Sequence, residues 1–224
     1  MLSYNSQTKT ANWVSWQLNK SWIGAADCLD NFRPDDGLPD AWYKVRPNDY
    51  TGSGYDRGHI APSADRTRNE GHIAPSADHT RNEVDNSATF LMSNMMPQVP
   101  EVDRGMWRDL SEYCRELVQR RAKNFTSPAG PMGRKGSIDK REKIAVPAKN
   151  WKVIVVLDRQ GLGMQGITAD TLTVMMPNDA SVKGRGWKSF RVPVKQVERE
   201  TGQNFLSNVS PQVHQVIESK VDSQ

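Results

Sequence analysis

Near the start of the chain, Val14, Trp16 and Leu18 alternate with Ser15, Gln17 and Asn19. A period of two predicts a strand with one face in the core and the other toward water. Residues 30–56 break all periodicity with Pro34, Pro39, Pro47, Gly37, Gly52 and Gly54, so they read as loop and turns. The short apolar run ATFLMSNMM at 88–96 predicts a buried strand, ended by Pro97 and Pro100. From Trp107 the period changes: Leu110, Tyr113, Cys114, Leu117 and Val118 recur at three and four residues, which predicts an amphipathic helix. Asp103, just upstream, is of the right type to cap it. Residues 119–143 are basic, Gly-rich and almost without apolar pattern, and predict no strand. Strand signals return at Trp151–Leu157, Thr171–Met176 and Phe190–Val194, and Val213, Val216 and Ile217 follow at helical spacing. This mixed order, with hairpin-like spacing, predicts an α+β domain rather than a doubly wound sheet.

Composition adds bounds. The 224 residues suffice for one substantial domain, and a net charge of +4 suits a polyanionic partner without requiring one. No run of eighteen apolar residues exists, so no membrane span is expected, and the opening MLSYNSQTKTANW shows no secretory signal. Cys28 and Cys114 form no CxxC pair, which argues against structural zinc. Cys114, on the apolar side of the helix, reads as a small buried hydrophobe.

A tandem repeat carries the candidate chemistry. GHIAPSADRTRNE at 58–70 is followed by GHIAPSADHTRNE at 71–83, differing only in Arg66 against His79. Asp56 and Arg57 precede the first copy and complete the tetrapeptide DRGH. Glycine lets the backbone turn sharply beside His59, and a neutral imidazole accepts a proton from water near neutral pH. Taken alone, the four residues fit a plain loop histidine more often than a catalytic one.

DRGH, HIAPSAD, TFLMSNMMPQ, the helix W-x-x-L-x-x-Y-C-R-E-L, FLSNVSP at 205–211 and IESKVD at 217–222 occur in that order. Together, over nearly the whole chain, they resemble the DNA/RNA non-specific endonucleases of the ββα-metal (His-Me finger) group, in their cyanobacterial branch. The resemblance implies a ββα-metal fold with a central antiparallel sheet flanked by helices. It implies an endonuclease that hydrolyses phosphodiester bonds in DNA and RNA, double- or single-stranded, through backbone contacts, leaving 5′-phosphate ends. It further implies magnesium, with manganese as the alternative, an extracellular or periplasmic location, and room for a protein inhibitor.

Residue by residue, the resemblance makes His59 the general base, with Arg57 beside it. His72 is the rival, 31 residues before Asp103 against 44 for His59, and the shorter interval is nearer the one the family implies. The family's metal-binding asparagine falls on Asp103, a carboxylate that still suits magnesium. A glutamate that holds water of the metal's shell falls on Ser111, while Glu112 is rotated by about 100° around the helix. The phosphate-steadying arginine falls on Cys28, and Arg33 sits elsewhere on that loop. These changes point to weakened turnover. His79 and His214 read as ordinary surface or packing residues.

The resemblance also implies an apolar strand where QRRAKNFTSPA stands at 119–129, so a lost central strand is expected, and more chain before LSYN, so an N-terminal truncation. Arg134–Lys143 reads as a solvated loop before a phosphate contact. Three readings remain open: an active nuclease, a nucleic-acid-binding relative without turnover, and a decayed product that folds poorly.

Overall fold

The computed structural model describes residues 1–24, 29–67, 85–121, 123–157 and 167–205. Its centre is an antiparallel sheet of five strands, β1 (Leu2–Asn5), β2 (Thr10–Leu18), β5 (Asn124–Met132), β8 (Lys149–Leu157) and β9 (Ile167–Pro177), in the spatial order β1-β2-β5-β8-β9. Two ribbons stand beside it. β3 (Asp56–His59) pairs with β4 (Met95–Gln98), and β6 (Gly136–Ile138) pairs with β7 (Ile144–Val146). A widened helical turn, Val102–Trp107, leads into α1 (Arg108–Arg121), and α2 (Val194–Thr201) follows the sheet. The expected α+β class, with a central antiparallel sheet and a ββα unit made by β3, β4 and α1, is what the chain forms.

Alternation decides which face each helix covers. Val14, Trp16 and Leu18 of β2, Phe125 and Ala129 of β5, Ile154 of β8 and Leu172 of β9 share a core with Leu110, Cys114 and Val118 of α1. On the opposite face Trp151, Val153 and Val155 of β8 meet Val194 and Val197 of α2. β8 is buried on both faces, which explains its near-continuous apolar run.

Three expectations fail. The segment read as a lost strand is β5, paired with both β2 and β8. Its residues NFTSPAGPM are small and polar, but Phe125, Ser127 and Ala129 alternate inward, and the ladders on both sides outweigh weak intrinsic propensity. Small residues are needed there: a Cβ on Gly130 would stand 2.6 Å from the Asn12 carbonyl oxygen. Within 88–96, Met92–Asn94 form a helical turn and the strand starts only at Met95, running through Pro97. A two-stranded ribbon leaves one side of each strand open, so the missing proline N–H costs little. Finally, Phe190–Val194 is no strand. It is the end of the turn Trp187–Phe190, a single bridge from Arg191 to Val174, and the start of α2 after Pro193.

The first repeat copy is built into this fold. Ile60 is buried and its amide donates to the Asn94 carbonyl. Asp65 accepts from Trp16 Nε1 on β2 and from Arg115 Nη1 on α1, each at 2.9 Å. The second copy, with His72 and His79, lies outside the described residues, as do Cys28 and the segment containing His214.

Removing one partner of a buried ion pair typically costs about 3–5 kcal/mol. Asp65→Ala should therefore lower the stability measured by urea unfolding by about that amount; an unchanged stability would show that the buried pair does not form.

Candidate active site

β3 presents the DRGH residues at the edge of its ribbon. Asp56 pairs with Gln98, Arg57 with Pro97, Gly58 with Met96 and His59 with Met95. Glycine is obligatory at 58: an added Cβ would lie 1.8 Å from Gln98 Oε1. His59 is half-buried, its ring edge-on to Phe90 (centroids 5.0 Å apart, planes at 89°) and tilted against Phe32 at 5.4 Å. Its backbone carbonyl accepts from Trp107 Nε1 at 2.9 Å, which pins the strand to the start of α1. Burial pushes the imidazole pKa down to about 4, and the neighbouring Arg57 guanidinium adds to the fall while Asp30 opposes it. The ring is therefore neutral at physiological pH. Nε2 is shielded from solvent and has no hydrogen-bond partner. Arg57 itself lies over the Phe32 ring at 4.2 Å.

Asp103 stands inside the widened turn rather than at its cap: the cap position is Glu101, which makes no side-chain capping bond. Gly105, with φ −108° and ψ −110°, breaks the helical path there and gives the turn its width. Burial, with the Asp56 charge added, raises the Asp103 carboxyl pKa to about 6, and Arg104 partly offsets both. Arg104 grips Asp56 with two parallel bonds, Nε to Oδ2 at 2.7 Å and Nη2 to Oδ1 at 2.6 Å. That fork joins the metal-position turn to the DRGH strand.

The remaining expected positions are not part of this group. Ser111 is buried, donates to the Trp107 carbonyl at 2.9 Å and accepts from Lys152 Nζ at 3.0 Å, so its hydroxyl is committed beneath the helix. Lys152, fully buried, lies over the rings of Trp107 and Trp16, and burial pushes its pKa down. Glu112 is exposed and pairs with Arg108 at 3.6 Å. Arg33 donates to the Ser87 carbonyl at 2.8 Å, a loop brace. Cys114 is buried, as read, and burial pushes its thiol up to about 12.

Sequence reading missed Arg104 and Gln98. Gln98 is wholly buried beneath Gly58, and neither atom of its amide finds a partner. Strand register reveals the place of Gln98, and the fork onto Asp56 that of Arg104. Among the described residues no group of three or more His, Cys, Asp or Glu side chains could cage a metal. A single half-buried carboxylate such as Asp103 suits at most a cation that keeps most of its water.

Comparison with known proteins fits this arrangement. The profile of the DNA/RNA non-specific endonucleases matches residues 1–70 and again 68–212. The chain belongs to that family. The two matches meet inside the duplicated stretch. A nuclease from Nostoc sp. is 50% identical over 224 residues, covering 99% of this chain and 76% of that protein. Human mitochondrial endonuclease G is 29% identical, over 93% of this chain and 68% of its own length. Among solved structures, the crystal structure of an EndoG/EndoGI complex, which addresses EndoG inhibition, aligns with a TM-score of 0.73. It shares 25% identity and covers 93% of this chain and 83% of that one.

The raised Asp103 pKa has a thermodynamic sign. Ionising a carboxyl whose folded pKa exceeds its unfolded value opposes folding, so the cost is absent below about pH 4 and complete above about pH 6. Asp103→Asn should therefore stabilise the metal-free protein by about 1–3 kcal/mol at pH 8 and by nothing near pH 3.5. Thermal melts in chelator at both pH values check this; a gain at low pH would contradict it.

Proposed function

We propose that this protein is a metal-dependent endonuclease that hydrolyses phosphodiester bonds in DNA and RNA without sequence preference, with His59 as general base. The observation that carries this reading is a neutral imidazole held rigidly at a strand end and tied through Trp107 to the turn that bears Asp103. Family membership supplies the substrate class.

Nε2 is shielded from solvent, which leaves Nδ1 as the nitrogen to accept a proton from the attacking water. The aromatic walls of Phe32 and Phe90 fix the direction of that lone pair. Arg57 brings positive charge to the same edge, which steadies a phosphate and keeps the imidazole unprotonated. Asp103 would hold the divalent cation, magnesium or manganese, which when bound supplies charge stabilisation at the phosphate and its leaving 3′-oxygen. Cleavage then leaves 5′-phosphate ends. A protein inhibitor of the kind named for the EndoG neighbour is compatible with this reading, as is the extracellular or periplasmic location that the resemblance implies.

One observation favours slow turnover. The Ser111 hydroxyl is occupied by Trp107 and Lys152, so it offers nothing to the cation's water shell. Lost catalytic hydrogen bonds of this type commonly cost about 10²–10³ in rate.

Plasmid nicking with magnesium tests the proposal. His59→Ala should lower the rate by about 10²–10⁴, while His72→Ala retains it; loss in His72→Ala alone would transfer the base to the second copy. Because His59 stays neutral down to about pH 4, its protonation should not limit the rate between pH 5 and 8. A rate that tracks a group of pKa near 6.5 and disappears with His59 would refute that assignment of its state.

A further inference from the structure

Residues 180–191 read ASVKGRGWKSFR, with Lys183, Arg185, Lys188 and Arg191 and no acidic residue. The segment is anchored from below. Val182, Trp187 and Phe190 are buried in the same core that seats α1, while Lys183, Arg185 and Lys188 are exposed between them. Gly184, with φ +74°, and Gly186 flank Arg185, and neither has anything within 4 Å of where a Cβ would stand, so the backbone is bare on that side. Arg185 stacks on the Phe190 ring at 4.2 Å, and the Lys188 ammonium sits 5.6 Å from the Trp187 ring and 5.8 Å from that of Tyr113 on α1. Asp179, the acid just upstream, already accepts from the Ser181 amide. The result is a ledge of three exposed cations, two of which, Arg185 and Lys188, have an aromatic footing.

The ledge begins beside the candidate site. Asn178 accepts from the Val99 amide and donates to the Pro97 carbonyl, each at 2.9 Å, and Val99 in turn accepts from the amide of Asp103. Lys135, which lies 5.8 Å from the Tyr55 ring next to Asp56, donates to the Asn178 carbonyl.

We propose that Lys183, Arg185 and Lys188 form a phosphate track that binds the polynucleotide backbone beyond the scissile bond. The inference rests on the nuclease reading and adds to it a dependence on substrate length. Exposed lysine and arginine heads, without acids between them, attract a polyanion's phosphates and carry no base readout. The aromatic footing limits how far the Arg185 and Lys188 heads wander, which lowers the ordering cost of engaging successive phosphates.

The test is binding in chelator, followed by fluorescence polarisation of a labelled 30-nucleotide strand and of a 4-nucleotide strand over a salt series. The proteins are the intact chain and Lys183→Gln/Arg185→Gln/Lys188→Gln. Equal melting temperatures establish that the substitutions leave the fold intact, and single substitutions replace the triple variant if it melts early. For the long strand, the triple variant should bind at least tenfold more weakly at low salt, with a log–log salt slope shallower by about 2–3. The 4-nucleotide strand, which presents too few phosphates to engage the site and the track together, should lose less affinity than the long one. Unchanged affinity and slope for the long strand would overturn the track and leave the nuclease reading standing. Wild-type protein that binds neither strand, and nicks no plasmid with magnesium, would overturn both.

Discussion

Asp65 reaches from the segment after β3 into the seam between sheet and helix, where one oxygen takes the Trp16 indole proton and the other the Arg115 guanidinium. A carboxylate taken out of water is tolerable only when its oxygens are filled and an opposite charge is near, and both conditions hold here. Three parts of the chain distant in sequence are thereby fixed together: β2, α1 and the stretch that carries His59. Beneath this tie lies Lys152, a buried cation that rests on Ser111 and two indole faces and feels the Asp65 charge. The layer between sheet and helix is thus polar at its middle and apolar around it. The candidate site inherits its geometry from that layer, because Trp107, which holds the His59 carbonyl, is also part of it.

How much of the fold was legible depended on whether burial left a periodic trace. β2 was readable because one face meets the α1 core and the other alternates with polar side chains. α1 was readable for the same reason at a different period. β5 was not, because its inward positions are Phe125, Ser127 and Ala129, and only the first announces a core. Its position is set by neighbours on both sides, information held in β2 and β8 rather than in its own residues. α2 escaped for want of length: eight residues with Val194 and Val197 as its buried pair give little pattern to find.

The candidate site was legible where a motif carries it and obscure where pairing does. His59, Arg57 and Asp103 follow from the ordered family motifs, and the ribbon and the turn bring their elements together. Arg104 would pass for a solvated residue; at 70% side-chain exposure it looks like one in the structure too, until its fork onto Asp56 is seen. Gln98 is recognisable only once β3 and β4 are in register, because its burial follows from the missing side chain of Gly58 across the ribbon. The Ser111 substitution was visible in sequence, but its commitment to Lys152 depends on a strand 41 residues away.

The Asn86 side chain donates to the carbonyls of Ser63 and Arg66, at 3.2 and 2.9 Å, and so clips together the two ends of whatever chain runs between them. Because the closure is made at the clip, the interval can lengthen without disturbing it. Adding thirteen residues to a short connection raises its closure entropy by only about 1 kcal/mol. A copying error at this spot therefore enlarges the protein at small thermodynamic cost. The molecule possesses a joint at which evolution can splice new sequence, a few residues downstream of His59, and leave the architecture on either side in place.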